Sequence, residues 1–226
     1  MSIFRLGLTL PSQASWDADF GISVCQFLLY FARVRVPGYE NNVLKIFNRR
    51  SSLIAKSRQE LVQDAIKEHC SHVLFVDSDQ IFPPIIAHQL AKHGKRFIGC
   101  NIATKSQEKS IPTARAKPGP QEWWGGHVVY SQGRKGIERI WRLGFGVMLI
   151  DLEVFKDLPL PWFNQEWRND VQEFCGEDWY FCEKMEAKGV PLWVDHDLSV
   201  QIGHVGRWIY THNGIIEDKQ VNKEVA

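Results

Sequence analysis

Two aspartates one residue apart, Asp77 and Asp79, close the stretch HVLFVDSD that begins at His72. Like charges this close raise each other's pKa unless a cation stands between them. They are either solvated turn residues capping a buried strand, or ligands for a hard divalent cation. Mg²⁺ and Mn²⁺ bind in that way, through one or two carboxylates plus substrate phosphates. Three further groups could work with them. His204 lies in Gly203-His204-Val205-Gly206. A lone histidine is usually a surface or satisfied core residue, but flanking glycines admit a ligand close to the backbone, and imidazole suits Mn²⁺-class metals. Glu177 and Asp178 follow Gly176 at the start of a helical stretch. The helix dipole favours acids there by about 0.3–1 kcal/mol whatever their task; alternatively, one of them is a general base that takes a proton from an attacking hydroxyl. Arg58 falls on the apolar face of a long helix, between Ile54 and Leu61. It either snorkels to solvent or points toward a ligand at the edge of a sheet.

A frame that could bring these groups together is visible in the hydrophobic pattern. Ile3 to Leu10 reads as a first strand closed by a Pro11–Ser12 turn, and Trp16 to Ala32 as a helix with Phe20, Val24, Phe27, Leu28 and Phe31 at helical spacing. Val43 to Phe47 is a second strand, and Ser51 offers an N-cap to the helix that carries Arg58. Val73 to Val76 is a third strand, and its unbroken apolar run fits a sheet covered on both faces. Pro83–Pro84 opens another helix and Arg96 to Cys100 is a fourth strand. This alternation predicts a mostly parallel α/β sheet, in which ligands bind beyond the carboxyl ends of the strands. Asp77 and Asp79 stand at such an end.

The second half differs in texture. GRKG (133–136) reads as a hairpin turn between HVVYSQ and IERIWRL, and FGVMLID (145–151) as an apolar strand. A helix is expected over Trp179 to Lys188 with Gly189 as its C′ residue, then short strands at Leu192–Val194 and Leu198–Ile202. One domain over 1–226 accounts for the pattern: a nucleotide-binding half at 1–105, an acceptor-binding and catalytic half at 106–206, and a tail at 207–226.

Bulk properties narrow the class. The chain has 226 residues, 44% hydrophobic and 23% charged, with a formal charge of +1, so a sizeable core is available and a broadly basic surface is not. Five cysteines without a C-x-x-C spacing suggest reduced thiols in a cytoplasmic protein. No stretch approaches the roughly 20 apolar residues of a membrane span, and the N-terminal apolar run is too short for a signal peptide.

Taken in order, the motifs resemble the nucleotide-sugar glycosyltransferases of the GT-A (Rossmann-like) fold, in the style of small family-2-like enzymes of phages and bacteria, with some likeness to Anp1-type mannosyltransferases. The motifs are Thr9-Leu10-Pro11, Ala55-Lys56-Ser57-Arg58, Leu74 to Asp79, Gly144 to Ile150, Gly176-Glu177-Asp178 and Gly203 to Gly206. The resemblance implies a mostly parallel sheet flanked by helices and a sugar donor activated as a nucleoside diphosphate, UDP first among them. It also implies a Mn²⁺ or Mg²⁺ ion held by Asp77, Asp79 and His204, with Asp77 touching the metal or the ribose. Thr9, Leu10, Pro11, Arg58, Asp77 and Gly146 would bind the nucleotide sugar, and Asp178, or Glu177, would be the base. Such families place Asn after the helix arginine, whereas Gln59 follows here. The Anp1-type relatives retain anomeric configuration, so both stereochemical outcomes stay open.

For the acceptor, residues 115 to 142 hold Arg115, Lys117, Arg134, Lys135, Arg139 and Arg142 against Glu122 and Glu138, a local excess of about four positive charges. Trp123, Trp124, Tyr130 and Trp141 are interspersed with them. Mixed basic and aromatic groups suit nucleic acid, and a hydroxylated base of phage DNA is one acceptor reading. Aromatic faces equally suit sugar rings, and a glycan such as a cell-surface polysaccharide is the other. A non-catalytic nucleic-acid- or glycan-binding module on the same scaffold is the competing class. An aspartyl-phosphate phosphatase fits less well, because its D-x-D belongs on the first strand, as does a nucleotidyltransferase, whose Gly-rich loop is missing after strand one.

Overall fold

The computed structural model describes residues 2–13, 15–105, 110–206 and 209–212. In chain order the elements are β1 (Ile3–Ser12), α1 (Ala18–Arg33), β2 (Asn41–Arg50), α2 (Ile54–Lys67), β3 (His72–Val76), β4 (Gln80–Ile81), α3 (Ile86–Lys92) and β5 (Phe97–Gly99). There follow β6 (Arg115–Ala116), β7 (His127–Val128), β8 (Ile137–Ile140), β9 (Val147–Asp151) and a 3₁₀ turn at Leu152–Phe155. The last are β10 (Glu166–Arg168), β11 (Glu173–Cys175), α4 (Glu177–Ala187), β12 (Leu192–Asp195), α5 (His196–Ser199), β13 (Gly203–Val205) and β14 (Ile209–Tyr210).

The central sheet has the order β2-β1-β3-β9-β5-β12-β8. Strands β2, β1, β3, β5 and β12 run in one direction, and β9 and β8 oppose them. This is the mostly parallel α/β sheet that the alternation predicts. Its strands alternate between two apolar layers. Val73 and Phe75 join α2 and α4 on one face, while Leu74 and Val76 join α1, α3 and α5 on the other. A continuous Val-Leu-Phe-Val run is stable only between two such layers, since each fully buried side chain of this kind contributes about 1.5–3 kcal/mol. Both halves of the chain supply strands to this sheet. β9 from the second half lies between β3 and β5 of the first.

Several local expectations are corrected. β1 does not turn at Pro11 but pairs with β2 as far as Ser12↔Arg50. Its pairing with β3 stops at Thr9↔Phe75, so Pro11 has a neighbour on one side only, where a missing N–H is tolerated. Ser51 does not cap α2. The helix begins at Ile54, and the Ser51 hydroxyl accepts the Leu53 N–H one turn earlier. The GRKG turn does not join paired strands, because β7 pairs with β6 and β8 completes the edge of the main sheet beside β12. Consecutive strands of the second half that do pair antiparallel include β10–β11 and β13–β14. Leu198–Ile202 is helix and turn rather than strand, since Asp195 caps α5 by accepting the Leu198 N–H. The end of α4 is as expected. Gly189 has φ +74°, and the Gly189 and Val190 amides donate back to Glu186 and Met185, closing a Schellman motif.

The five cysteines carry no disulfide, and among the described residues no helix is long and apolar enough to cross a membrane. Of the tail, 207–208 and 213–226 lie outside the described residues.

Candidate functional site

The site is built where β3 ends. Beyond Val76 the chain leaves the sheet, and the Asp77 amide donates to the carbonyl of Gly146 at the entrance of β9. Gly146 leaves no room for a side chain, because a Cβ there would meet Ile102 at 2.9 Å and Gln80 at 3.3 Å. Gln80 and Ile81 then pair with His204 and Gly203 of β13, so a strand from late in the chain is laid against the D-x-D turn. The Val205 amide donates to the Asp79 carbonyl at 2.7 Å. That pairing delivers His204 to Asp79 across more than a hundred residues.

The two aspartates have different surroundings. Both oxygens of Asp77 accept from Arg58 Nη2, at 3.0 and 3.2 Å. Arg58 is 3% exposed, lies over the rings of Phe75 and Phe145 at 5.4 and 5.5 Å, and donates from Nε to Glu177 at 3.1 Å. It therefore does not snorkel. Three elements, α2, β3 and α4, meet on one guanidinium. Asp79 stands apart, half-buried, with Lys105 donating to Oδ2 at 2.6 Å and Gln80 to Oδ1 at 3.2 Å. His204 Nε2 is 3.5 Å from Asp79 Oδ1, while Nδ1 donates to the Ala103 carbonyl at 2.8 Å. A carbonyl only accepts, so Nδ1 carries a proton, and Nε2 is the ring nitrogen turned toward Asp79. That is how metal-ligating histidines are usually oriented.

The electrostatics follow from this packing. Burial pushes the Asp77 carboxyl above its usual range; the charges of Asp79 and Glu177 push the same way, while Arg58 opposes them. Burial acts on Asp79 too, but hydrogen bonds from His204 and Lys105 outweigh it and hold that carboxyl far below the usual range. Burial, with the neighbouring Glu177 charge, raises Asp178 to about 7. Four carboxylates, Asp77, Asp79, Glu177 and Asp178, thus face Arg58 and Lys105, and the site is short of positive charge. Two deeply buried polar atoms here are unpaired: Arg58 Nη1 and Gln80 Oε1. Leaving a buried polar group unsatisfied costs about 1–3 kcal/mol, so these two atoms have hydrogen-bonding capacity to offer a water or a ligand.

Among the described residues no three His, Cys, Asp or Glu side chains converge as a ready-made metal shell. Asp79 and His204 fit a divalent cation as two protein ligands, the number expected where a diphosphate supplies others. Asp77 is held by Arg58 and would act from behind them.

Of the other sequence candidates, Thr9 and Leu10 are fully buried, and the Thr9 hydroxyl donates to the Leu74 carbonyl inside the sheet. Pro11 is buried one residue further along. Glu177 is bound by Arg58, whereas Asp178 uses one oxygen on the Trp179 amide and has no cation in contact. Gln59 accepts the Trp162 amide at 3.1 Å and so tethers the segment between the 3₁₀ turn and β10 to α2. Sequence reasoning did not single out Lys105 or Gln80. No periodicity marks Lys105, and Gln80 could have been suspected only from its place directly after the D-x-D.

In the basic stretch 115–142 most of the cations are buried or paired, while Arg139 is exposed. Arg115 and Arg142 are buried, and Lys117, Arg134 and Lys135 are paired with Glu186, Glu138 and Asp197.

No family model matches the chain. Among solved structures, the A197 protein from STIV superposes with a TM-score of 0.59 at 15% identity over 95% of each chain. S. aureus TarS 1–349, in complex with UDP-GlcNAc, gives 0.46 at 14% identity over 94% of this chain and 62% of that one. A nucleoside-diphosphate-sugar pyrophosphorylase from Vibrio cholerae gives 0.44 at 10% identity over 84% and 91%. The likeness to A197 shows that the two chains share a fold; the chemistry rests on the side chains.

Proposed function

We propose that the protein is a metal-assisted glycosyltransferase that moves a sugar from a nucleoside-diphosphate donor to an acceptor hydroxyl. One observation carries the reading: Asp77, Asp79 and His204 meet Arg58, Glu177 and Asp178 at the carboxyl end of β3, in a cluster short of positive charge. Asp79 and His204 would hold a Mn²⁺ or Mg²⁺ ion, which neutralises charge developing on the departing diphosphate. Arg58 fixes Asp77 and Glu177 relative to each other and keeps its Nη1 for a donor oxygen. Asp178 takes the proton of the acceptor hydroxyl as that oxygen bonds to the anomeric carbon. The bond to the diphosphate oxygen breaks with its electron pair, and the nucleoside diphosphate leaves. A carboxylate with a pKa near 7 is suited to that task at neutral pH. A base so placed favours inversion, which NMR of the product anomer checks directly.

The test is thermal unfolding with a panel of nucleoside diphosphates, with and without Mn²⁺. Ligand at 100 times its dissociation constant adds about 2.7 kcal/mol, a shift of roughly 5–10 °C at this size. UDP, the nucleotide the sequence resemblance implies, should give the largest shift with Mn²⁺, and Asp79→Ala should abolish it. If no nucleotide gives a metal-dependent shift, the proposal fails.

A further inference from the structure

The two cations that serve the carboxylates of the site are built differently. Among the described residues, Arg58 and Lys105 are the arginine and lysine side chains in contact with Asp77, Asp79, Glu177 or Asp178. Arg58 is buried, bound by two carboxylates and flanked by two rings, so it is fixed. Lys105 is not. Its side chain is 36% exposed, and its ammonium donates to Asp79 Oδ2 at 2.6 Å. Gly206 leaves room for its stem, since a Cβ there would meet Lys105 Cδ at 3.1 Å. The backbone from which the stem departs is pinned. The Thr104 amide donates to the Ile111 carbonyl at 2.9 Å, and the Thr104 hydroxyl accepts the Ile111 amide at 3.0 Å. The Thr113 amide donates to the Ile102 carbonyl at 3.0 Å, and its hydroxyl accepts the Ile102 amide at 3.2 Å. Ala103, within the same neck, supplies the carbonyl that orients His204. Lys105 and His204 thus share a base and converge on Asp79, the ammonium on Oδ2 and the imidazole beside Oδ1.

An ion pair with both partners this exposed is weak and readily exchanged, because water competes for each charge. Asp79 is also the carboxylate assigned above to a divalent cation. A dication on Asp79 repels an ammonium on the same carboxylate, so the two compete for it. A diphosphate that shares the cation with Asp79 would lie within reach of the same four-carbon stem. Lysine binds phosphate as a point charge that needs no fixed orientation, so the ammonium can change partners without moving the backbone. Arg58 cannot supply this charge, because Asp77 and Glu177 already neutralise it.

We infer that Lys105 is a diphosphate-binding residue whose ammonium passes from Asp79 to the diphosphate as a divalent cation takes the carboxylate. The inference rests on the transferase reading, which supplies both the cation and the diphosphate. On this scheme cation and nucleotide load together, and the cation alone binds poorly because Lys105 holds its ligand.

Lys105→Met, which removes the ammonium and keeps the stem, tests it on the full chain. Mn²⁺ binding without nucleotide is read by EPR of the free ion, and UDP binding at saturating Mn²⁺ by isothermal titration calorimetry. The substitution should tighten Mn²⁺ alone at least about fivefold and weaken UDP at least about fivefold, the lower end of ordinary coupling between sites. A loss of structure would weaken both ligands rather than move them in opposite directions. Lys105→Arg keeps the charge and should stay within about threefold of wild type in both measurements. Lys56→Met separates contact from the general field of the protein. Lys56 is exposed on α2 and paired with Glu60, so its loss should change neither affinity by more than about twofold. Mn²⁺ affinity in Lys105→Met equal to or below wild type, unchanged UDP affinity, or equal effects from Lys56→Met overturns the inference. Failure of the transferase reading looks different: wild type itself then binds no UDP with Mn²⁺, and the inference falls with it. If wild type binds both ligands and Lys105→Met moves neither, the inference alone fails.

Discussion

Two buried polar networks sit at the same carboxyl edge of the sheet, and they are wired in opposite ways. One is the Arg58–Asp77–Glu177 cluster beyond β3. The other lies beyond β5 and β12. There the Asn101 amide donates to the Val129 carbonyl and to Ser131, and its oxygen accepts the Ala114 amide. His196 Nε2 donates to Glu138 at 3.0 Å, and its Nδ1 faces the Ser131 hydroxyl at 3.0 Å. On paper Ser131, His196 and Glu138 have the connectivity of a nucleophilic triad. Ser131 is fully buried, however, and the Asn101, Ser131 and His196 side chains leave no unpaired atom. The β3 cluster instead carries surplus carboxylate, retains the unpaired Arg58 Nη1 and Gln80 Oε1, and opens to solvent through Asp79 and Asp178. A fully satisfied network staples the fold, and an incompletely satisfied one at an open edge waits for a ligand. The difference lies in the accounting of donors and acceptors rather than in residue types.

This contrast can be broken experimentally. The largest effect is expected at Asp178. Asp178→Asn should lower kcat about 10²–10⁴-fold with UDP binding intact. Wild-type activity should rise with pH through about 7 as the carboxyl loses its proton, and the variant should show no such rise. Stability moves the other way. The raised pKa means the folded state holds this proton more tightly than the unfolded chain, so the native state is penalised as pH climbs from about 4 to 7. Asp178→Asn should therefore unfold at a higher temperature than wild type at pH 8 and at the same temperature below pH 4.

Next comes Arg58→Ala. It leaves two carboxylates buried without their cation and should cost about 3–5 kcal/mol in urea unfolding at pH 7, together with loss of nucleotide binding. Loss of either property without the other would separate the scaffold role of Arg58 from its ligand role.

Smaller effects are expected in the second network. Asn101→Ala strands several buried partners and should cost about 2–3 kcal/mol, with kcat of the folded fraction unchanged. Ser131→Ala should cost only about 1 kcal/mol and leave turnover untouched. If Ser131→Ala abolished turnover instead, the staple would be the catalytic centre and the comparison would be reversed.

Much of the frame was legible in the residues themselves. The unbroken apolar run before Asp77, the helical spacing of α1 and α2, and glycine at the end of α4 each record a local constraint: burial on two faces, one buried stripe, or a left-handed backbone. These are properties of neighbouring residues, and neighbouring residues carry them. The error at Leu198–Ile202 has the same origin. A short apolar run is compatible with strand or helix, and the deciding bond comes from the Asp195 side chain.

The composition of the site was visible, but its wiring was not. Asp77, Asp79, Glu177, Asp178 and His204 are of types and at spacings that suggest acid and metal chemistry. Residue type alone does not tell Asp77 from Asp79, or Glu177 from Asp178; only the resemblance favours Asp79 for the metal and Asp178 for the base. That division depends on where Arg58 points, which depends on α2 and α4 packing against one face of β3. It depends also on β13 pairing with β4, which carries His204 to Asp79, and on β9 entering the sheet antiparallel between β3 and β5. Sequence by itself determined which residues could do chemistry and where the longer strands and helices would fall, because side-chain pKa, metal affinity and local periodicity are intrinsic to the chain. Only the tertiary structure decided which carboxylate is clamped, which is left without a cation and which faces an imidazole, because charge–charge interaction and desolvation act over a few ångströms between residues far apart in sequence.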